Sequence, residues 1–171
     1  QAWPVVLQGL LGWRYKVRNY GVSGQTTGQM TALAAGESIL EAAKWYQSVS
    51  IGWEGLNDIY YGATGAQAYF NLEIFYTQQA AAFRFSKVVA VNIIKDGTQT
   101  APQVTARETC NASLLSGYTG FADALVDLAG NAAFQNTADT TYYHTDQEHL
   151  TAAGQAVVAA AMSPVVTAFT V

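Results

Sequence analysis

The sequence predicts an α/β fold built on a parallel sheet, and three observations carry that prediction. Strand-like and helix-like segments alternate along nearly the whole chain. Parallel neighbours need a crossover, usually helical, so this alternation implies a parallel sheet with helices on both faces, a three-layer α/β/α arrangement. Residues 87 to 94 read Lys-Val-Val-Ala-Val-Asn-Ile-Ile, the β-branched run expected of a central strand covered on both sides. Turns rich in Gly, Asn and Asp follow the strand-like segments, at the carboxyl ends where such sheets hold their ligands.

The elements follow in order. Pro4 to Leu11 has the apolar density of a short helix with proline near its first turn. Tyr15 to Val22 alternates and ends in Gly-Val-Ser-Gly, so it reads as a strand meeting a tight turn. Thr26 to Tyr46 is helical in composition, with a break near Gly36, and Ser48 to Trp53 reads as a strand. Gly65 to Phe83 is a long helix with few breakers, and Lys87 to Ile94 is the central strand. Thr105 to Leu115 is helical, Ala122 to Leu128 is a short apolar strand, and Leu150 to Met162 is a closing helix.

With 171 residues, the chain is expected to form one domain, residues 1–171, with a real core. The net charge is −4 and only 12% of residues are charged. The few Lys and Arg are spread thinly, which excludes a basic nucleic-acid surface. No apolar run approaches the roughly 18 residues of a membrane span. Cys110 is the one cysteine, so an intrachain disulfide and a cysteine–metal site are excluded; it reads as a small buried hydrophobe. Trp3 and Trp13, at either end of the first helix, are expected in the core, and Arg84 and Lys87 at solvated edges of the sheet. Low charge with many Thr, Gln, Asn, Gly and Tyr suits a secreted, extracellular or periplasmic protein. The amino terminus lacks the basic start of a signal peptide, as in a processed chain or a fragment.

Three blocks carry chemistry. In Asn19-Tyr20-Gly21-Val22-Ser23-Gly24-Gln25-Thr26-Thr27, Gly24 lets the backbone approach a ligand, and its N–H near a helix start can face a developing oxyanion; a plain strand-to-helix turn is the alternative. In Gly55-Leu56-Asn57-Asp58, the Asn57 side chain can donate to the same oxyanion, while Asp58 is expected to tie down the loop through local backbone hydrogen bonds. An ordinary Asn-Asp turn is the alternative there. In Asp146-Gln147-Glu148-His149-Leu150-Thr151, a carboxylate three residues before a histidine can bind one ring nitrogen and leave the other as general base. The chain has only two histidines, His144 and His149. Thr151 is a candidate N-cap for the last helix.

The order and spacing of these blocks resemble the SGNH hydrolase family of GDSL esterases and lipases. Gly-Val-Ser-Gly-Gln-Thr-Thr is similar to the family's second block, Gly55-x-Asn57-Asp58 to its third, and Asp146-x-x-His149-Leu-Thr-Ala-Ala-Gly to its fifth. The resemblance runs from about Trp3 to Val166. It implies the flavodoxin-like SGNH fold, ester hydrolysis without metal or organic cofactor, Gly24 and Asn57 as oxyanion donors, His149 as general base and Asp146 as its orienting carboxylate. The family's first block, a strand ending in Gly-Asp-Ser with the nucleophilic serine, has no counterpart in the chain. The first strand and its serine are therefore expected upstream of Gln1, either in a longer chain or on a separate peptide that stays bound. Ser23 is not expected to attack, because Gly21-Val22-Ser23-Gly24-Gln25 lacks the closing glycine of a G-x-S-x-G elbow.

Trp53, Tyr60 and Tyr61 flank the Asn57 loop, either to stack on sugar rings or to fill core. An O-acetylated carbohydrate is the first expected substrate, and a short-chain ester or thioester the second. Two rival readings stand beside the esterase. One is a metal site on His144, Asp146 and His149, for which no fourth ligand suggests itself. The other is a non-catalytic carbohydrate-binding or surface module that reuses the fold.

Overall fold

The computed structural model describes residues 2–34, 48–81 and 87–169. Its elements are α1 (Trp3–Leu11), α2 (Thr27–Ala34), β1 (Val49–Gly52), α3 (Leu56–Tyr60), α4 (Gly65–Ala81), β2 (Lys87–Val91), α5 (Ala101–Gly117), β3 (Ala124–Val126) and α6 (Ala152–Ala168). The strands form one open sheet in the order β1-β2-β3. β1 and β2 run parallel, with Val49 opposite Lys87 and Gly52 opposite Ala90. The α/β class with a parallel sheet is thus as the sequence predicts. Among the described residues no helix is long and apolar enough to cross a membrane.

Contacts divide the chain into two units that interleave in sequence. One comprises Gln1–Asn19, Ile94–Gln99 and Val126–Val171; the other comprises Tyr20–Ile93 and Thr100–Leu125. In the second unit, Ala68, Leu72, Phe75 and Tyr76 recur at helical spacing on α4 and close over Val88 and Ala90 of β2, with Ile59, Cys110, Leu114 and Phe121 completing the cluster. A fully buried Leu or Phe contributes about 2 kcal/mol, so this face, rather than helix propensity, holds α4 in place. Cys110 is wholly buried, and burial pushes its thiol up to about 12, with Asp58 adding to the shift; it packs as the expected small hydrophobe. In the first unit α1 packs on α6, and Leu7 of α1 and Val158, Met162 and Val166 of α6 are all buried.

Three helices start on the same device. The Gln29, Gln67 and Gln103 side chains accept from the backbone N–H of Thr26, Thr64 and Thr100 at 3.0, 2.9 and 2.8 Å. Each Thr-x-x-Gln is the amide form of a capping box and opens α2, α4 and α5. α6 starts differently: the Thr151 hydroxyl accepts from Gly154 N–H, the N-cap expected of Thr151.

Three expectations need correction. Tyr15 to Val22 is not a strand. Its alternation is real, with Tyr15 and Val17 half-buried and Lys16 and Arg18 exposed, but the Gln8 side chain takes the ladder's place. Gln8 Nε2 donates to Gly12 O and Tyr15 O, and Gln8 Oε1 accepts from Val17 N–H at 2.8 Å. The central strand ends at Val91, because the Asn111 side chain on α5 accepts from Ile93 N–H and donates to Ile93 O at 2.9 and 2.8 Å; a side chain replaces the next rung. Trp13 is 89% exposed, because α1 ends at Leu11 and Gly12 turns the chain at φ 76°; the Arg14 guanidinium lies 5.6 Å from its ring centre. Trp3 is half-buried. Lys87 is partly exposed and pairs with Asp123 at 2.6 Å. Arg84, and residues 35–46 of the predicted second helix, lie outside the described residues.

Candidate functional site

The predicted site residues fall in both units, and each group is built locally. In the second unit, Gly24 adopts φ 79° in the turn that precedes α2, a left-handed conformation that glycine enters without a steric cost. Among the described residues none accepts from its N–H, and the turn is exposed. Gly55 caps α3 at φ 101°; a Cβ there would lie 3.0 Å from Ile93 Cδ1, so both conformation and space select glycine. The next residues turn immediately into the short α3, which puts Asn57 in its first turn.

Asn57 Nδ2 donates to Gln25 O at 2.8 Å. An amide nitrogen carries two hydrogens, so this bond orients the group and leaves its second N–H to give. Gln25 and Asn57 are 32 residues apart, so the structure brings the second and third blocks together. Asp58 does not act through local backbone bonds as expected. Its carboxylate is buried and reaches back to α2, where Oδ2 accepts from both Thr27 N–H and Thr27 Oγ1–H at 2.8 Å. Oδ1 accepts from Asn71 Nδ2 on α4, also at 2.8 Å. One carboxylate thus joins three helices, and the turn carrying Gly24 is set by its tie to Thr27.

Sequence reasoning passed over Glu54, which lies between the end of β1 and Gly55. Burial raises its carboxyl to about 8, and the nearby Asp58 charge adds to the shift. The signal was present as an acid directly before the Gly-x-Asn-Asp block. Trp53 and Tyr60 are half-buried, whereas Tyr61 is 75% exposed just beyond α3.

In the first unit, an antiparallel bridge between Tyr143 and Leu150 closes a loop, with His144 N–H donating to His149 O at 2.7 Å. Within it, Asp146 Oδ1 accepts from the N–H groups of Glu148 and His149, each at 3.0 Å. Asp146 Oδ2 lies 3.0 Å from His149 Nδ1. The backbone donations from Glu148 and His149 lead in holding the Asp146 carboxyl down at about 2, with the His149 ring adding to them, so Asp146 stays an acceptor across the physiological range. That bond selects the tautomer with hydrogen on Nδ1 and leaves Nε2 free to take a proton. The two side chains are 69% and 49% exposed. Ser23 sits exposed in the Gly24 turn. His144, Asp146 and His149 are not gathered as a metal ion requires, and among the described residues no three His, Cys, Asp or Glu side chains are.

Comparison with known proteins adds the family. The profile of the GDSL-like Lipase/Acylhydrolase family matches residues 1–157. The solved structure of a G-D-S-L family protein from Desulfitobacterium hafniense DCB-2 is similar in fold, with a TM-score of 0.67 at 14% identity, over 96% of this chain and 87% of that one. Among curated protein sequences, none matches.

Proposed function

The chain belongs to the GDSL-like lipase/acylhydrolase family, and from that premise we propose that it forms the larger part of a serine ester hydrolase whose nucleophile lies in a segment upstream of Gln1. Ester and acyl hydrolysis is the chemistry of the family. The observation that carries the reading is the Asp146–His149 pair, with Nδ1 bonded to carboxylate and Nε2 unengaged among the described residues. A histidine held that way is a general base in waiting.

The serine Oγ adds to the ester carbonyl carbon as its proton passes to His149 Nε2. The carbonyl electron pair moves onto oxygen, where the serine's own N–H, the Gly24 N–H and the second Asn57 N–H donate to it. The tetrahedral adduct collapses, and His149 returns the proton to the departing alcohol. Water then repeats the sequence on the acyl-enzyme and frees the acid. Asp146 keeps its charge throughout and stabilises the imidazolium. No step requires a metal or an organic cofactor.

The substrate we assign is an O-acetylated carbohydrate, with a short-chain ester second. Trp53, Tyr60 and Tyr61 around the Asn57 loop offer rings on which a sugar can stack, and Tyr61 is the most accessible of them. The low charge suits a secreted, extracellular or periplasmic setting.

The test is a fluorophosphonate serine probe with the intact mass of every polypeptide in the purified protein. An adduct on a Gly-Asp-Ser segment, whether in a longer chain or on a separate bound peptide, supports the reading. An adduct on Ser23 overturns the assignment of the nucleophile. No adduct on a polypeptide that carries the upstream Gly-Asp-Ser segment overturns the esterase and leaves the non-catalytic binding module.

A further inference from the structure

We infer that Gly97 and Gln147 are positioning residues for the Asp146–His149 pair, an inference that rests on the reading of His149 as general base. An exposed carboxylate–imidazole contact is weak by itself and holds no geometry. Neither side chain is packed, so the arrangement must come from the backbone of the loop between them. That backbone contains Gln147 at φ 61°, the one non-glycine residue with positive φ among those described. A residue with a long side chain enters this region only when its surroundings over-determine it.

The surroundings do so. Gln147 N–H donates to His144 O at 2.9 Å, and Gln147 O accepts from Gly97 N–H at 3.0 Å. Gln147 Oε1 accepts from Thr137 Oγ1 at 3.3 Å. Both ends of the Gln147 backbone and its side chain are therefore held. Gly97 in turn sits in a firm turn, with Thr98 N–H and Oγ1–H both donating to the buried Asp96 carboxylate at 2.8 and 2.7 Å. The buried Tyr143 at the base of the loop donates its hydroxyl to Lys95 O at 2.9 Å. The 95–98 turn is thus a rigid floor under the loop. Its closest approach is at Gly97, where a Cβ would collide with Gln147 Oε1 and lie 2.7 Å from both Gln147 Cβ and Thr137 Oγ1; only a hydrogen fits. The left-handed step at Gln147 reverses the chain after Asp146, so that the next two N–H groups, Glu148 and His149, reach back to the same Asp146 oxygen. The other carboxylate oxygen then meets Nδ1.

The test uses the full chain and four variants, with His149 tautomers read from ring ¹⁵N shifts; His144 is the only other histidine. In the wild type, His149 carries its neutral-state hydrogen chiefly on Nδ1. Gly97→Ala should lower the ratio of Nδ1–H to Nε2–H tautomer about five-fold, because the ring loses its fixed acceptor. Gln147→Val should do the same without touching the floor, since a β-branched residue resists positive φ. Gln147→Gly should leave the ratio unchanged, and Gly97→Ala combined with Gln147→Gly should recover it in part, because the Gln147 side chain is gone and only Thr137 Oγ1 still meets the new methyl. Ester turnover measured in parallel should fall about ten-fold in kcat with KM nearly unchanged for the two disruptive variants. Wild-type tautomer ratios in a folded Gly97→Ala or in Gln147→Val overturn the inference, as does failure of the double variant to recover. If Gly97→Ala does not fold, the exposed Gln147 series decides alone. A wild type that carries the upstream Gly-Asp-Ser segment yet shows no turnover and no fluorophosphonate adduct overturns the esterase reading, while the tautomer ratios still decide whether these two residues set the pair.

Discussion

Replacing Asp58 with alanine should cost about 3–4 kcal/mol of stability, far more than its place in a surface-like Asn-Asp turn suggests. The carboxylate is 4% exposed and accepts three hydrogen bonds of 2.8 Å from Thr27 N–H, Thr27 Oγ1–H and Asn71 Nδ2. Thr27 is itself wholly buried, so alanine leaves a main-chain and a hydroxyl donor in the interior without an acceptor. Each buried donor left unmade costs about 1–3 kcal/mol. Water entering the space of the lost carboxylate offsets part of that, and Asn71, half-buried, finds solvent. At about 3 °C per kcal/mol for a chain of this size, the melting temperature should fall by about 10 °C. Asp58→Asn should cost about 1 kcal/mol, because its amide oxygen still accepts from Thr27, and Asn71 can turn its own amide to present oxygen. Urea unfolding followed by tryptophan fluorescence measures both, with Trp53 a few residues from the change. A loss below about 1 kcal/mol for alanine, or equal losses for alanine and asparagine, would refute the tie between Asp58 and Thr27 as the joint of this unit.

Two further outcomes follow from the same region. Asn57→Ala should lower ester turnover about 10²–10³-fold while the melting temperature moves little, because the bond it loses to Gln25 O is only part-buried; unchanged turnover with intact folding would remove Asn57 from the oxyanion hole. Glu54 governs a pH dependence: its folded value of about 8 lies above its ordinary 4.5, so the folded state holds a proton that the unfolded chain has released. Its contribution is fully present below about pH 4.5 and is lost as the pH rises through 8. Urea midpoints at pH 4, 6 and 9 should therefore fall for the wild type relative to Glu54→Gln, and parallel midpoints would refute the buried carboxyl.

Much of the fold was legible because periodicity reports burial. The β-branched run at Lys87 marked the central strand, and the stretch from Gly65 with few breakers and the closing segment from Leu150 marked helices that the structure contains. What periodicity does not report is which partner satisfies the backbone. Tyr15 to Val17 alternates like a strand, yet Gln8 supplies its hydrogen bonds; Ile93 continues the buried run, yet Asn111 ends the ladder. Both substitutes come from residues that look like ordinary polar side chains on helices. The last helix runs through Pro164 to Ala168, beyond the expected stop at Met162, because the ring removes one hydrogen bond while Val166 still packs inward. The same limit applied to the site. The spacing of Asp146 and His149 fits one local loop, so the pair could be read from the chain. The reach of Asp58 to Thr27 spans 31 residues, and no local pattern distinguishes it from a turn-forming Asp.

The groups assigned to catalysis share one construction, visible in each unit taken separately. Asn57 and His149 each engage one polar atom of the side chain and leave a second one open. Asn57 commits one N–H to Gln25 O and keeps the other; His149 commits Nδ1 to Asp146 and keeps Nε2. Gly24 lies in an exposed turn in a conformation that a glycine adopts freely. An open donor in the interior would be costly, but these lie in exposed or half-buried turns where water covers them before substrate arrives. The stability cost of holding them ready is thus shifted to neighbours that are buried and fully bonded, Asp58 with Thr27 in one unit and Asp96 with Thr98 in the other. A group oriented beforehand loses no reorganisation energy when charge develops, which is the main advantage a protein has over water in stabilising an oxyanion. It follows that damage to turnover should be largest at the open groups and damage to stability largest at the buried anchors, with Gly97 and Gln147 between them, moving kcat before they move the melting temperature.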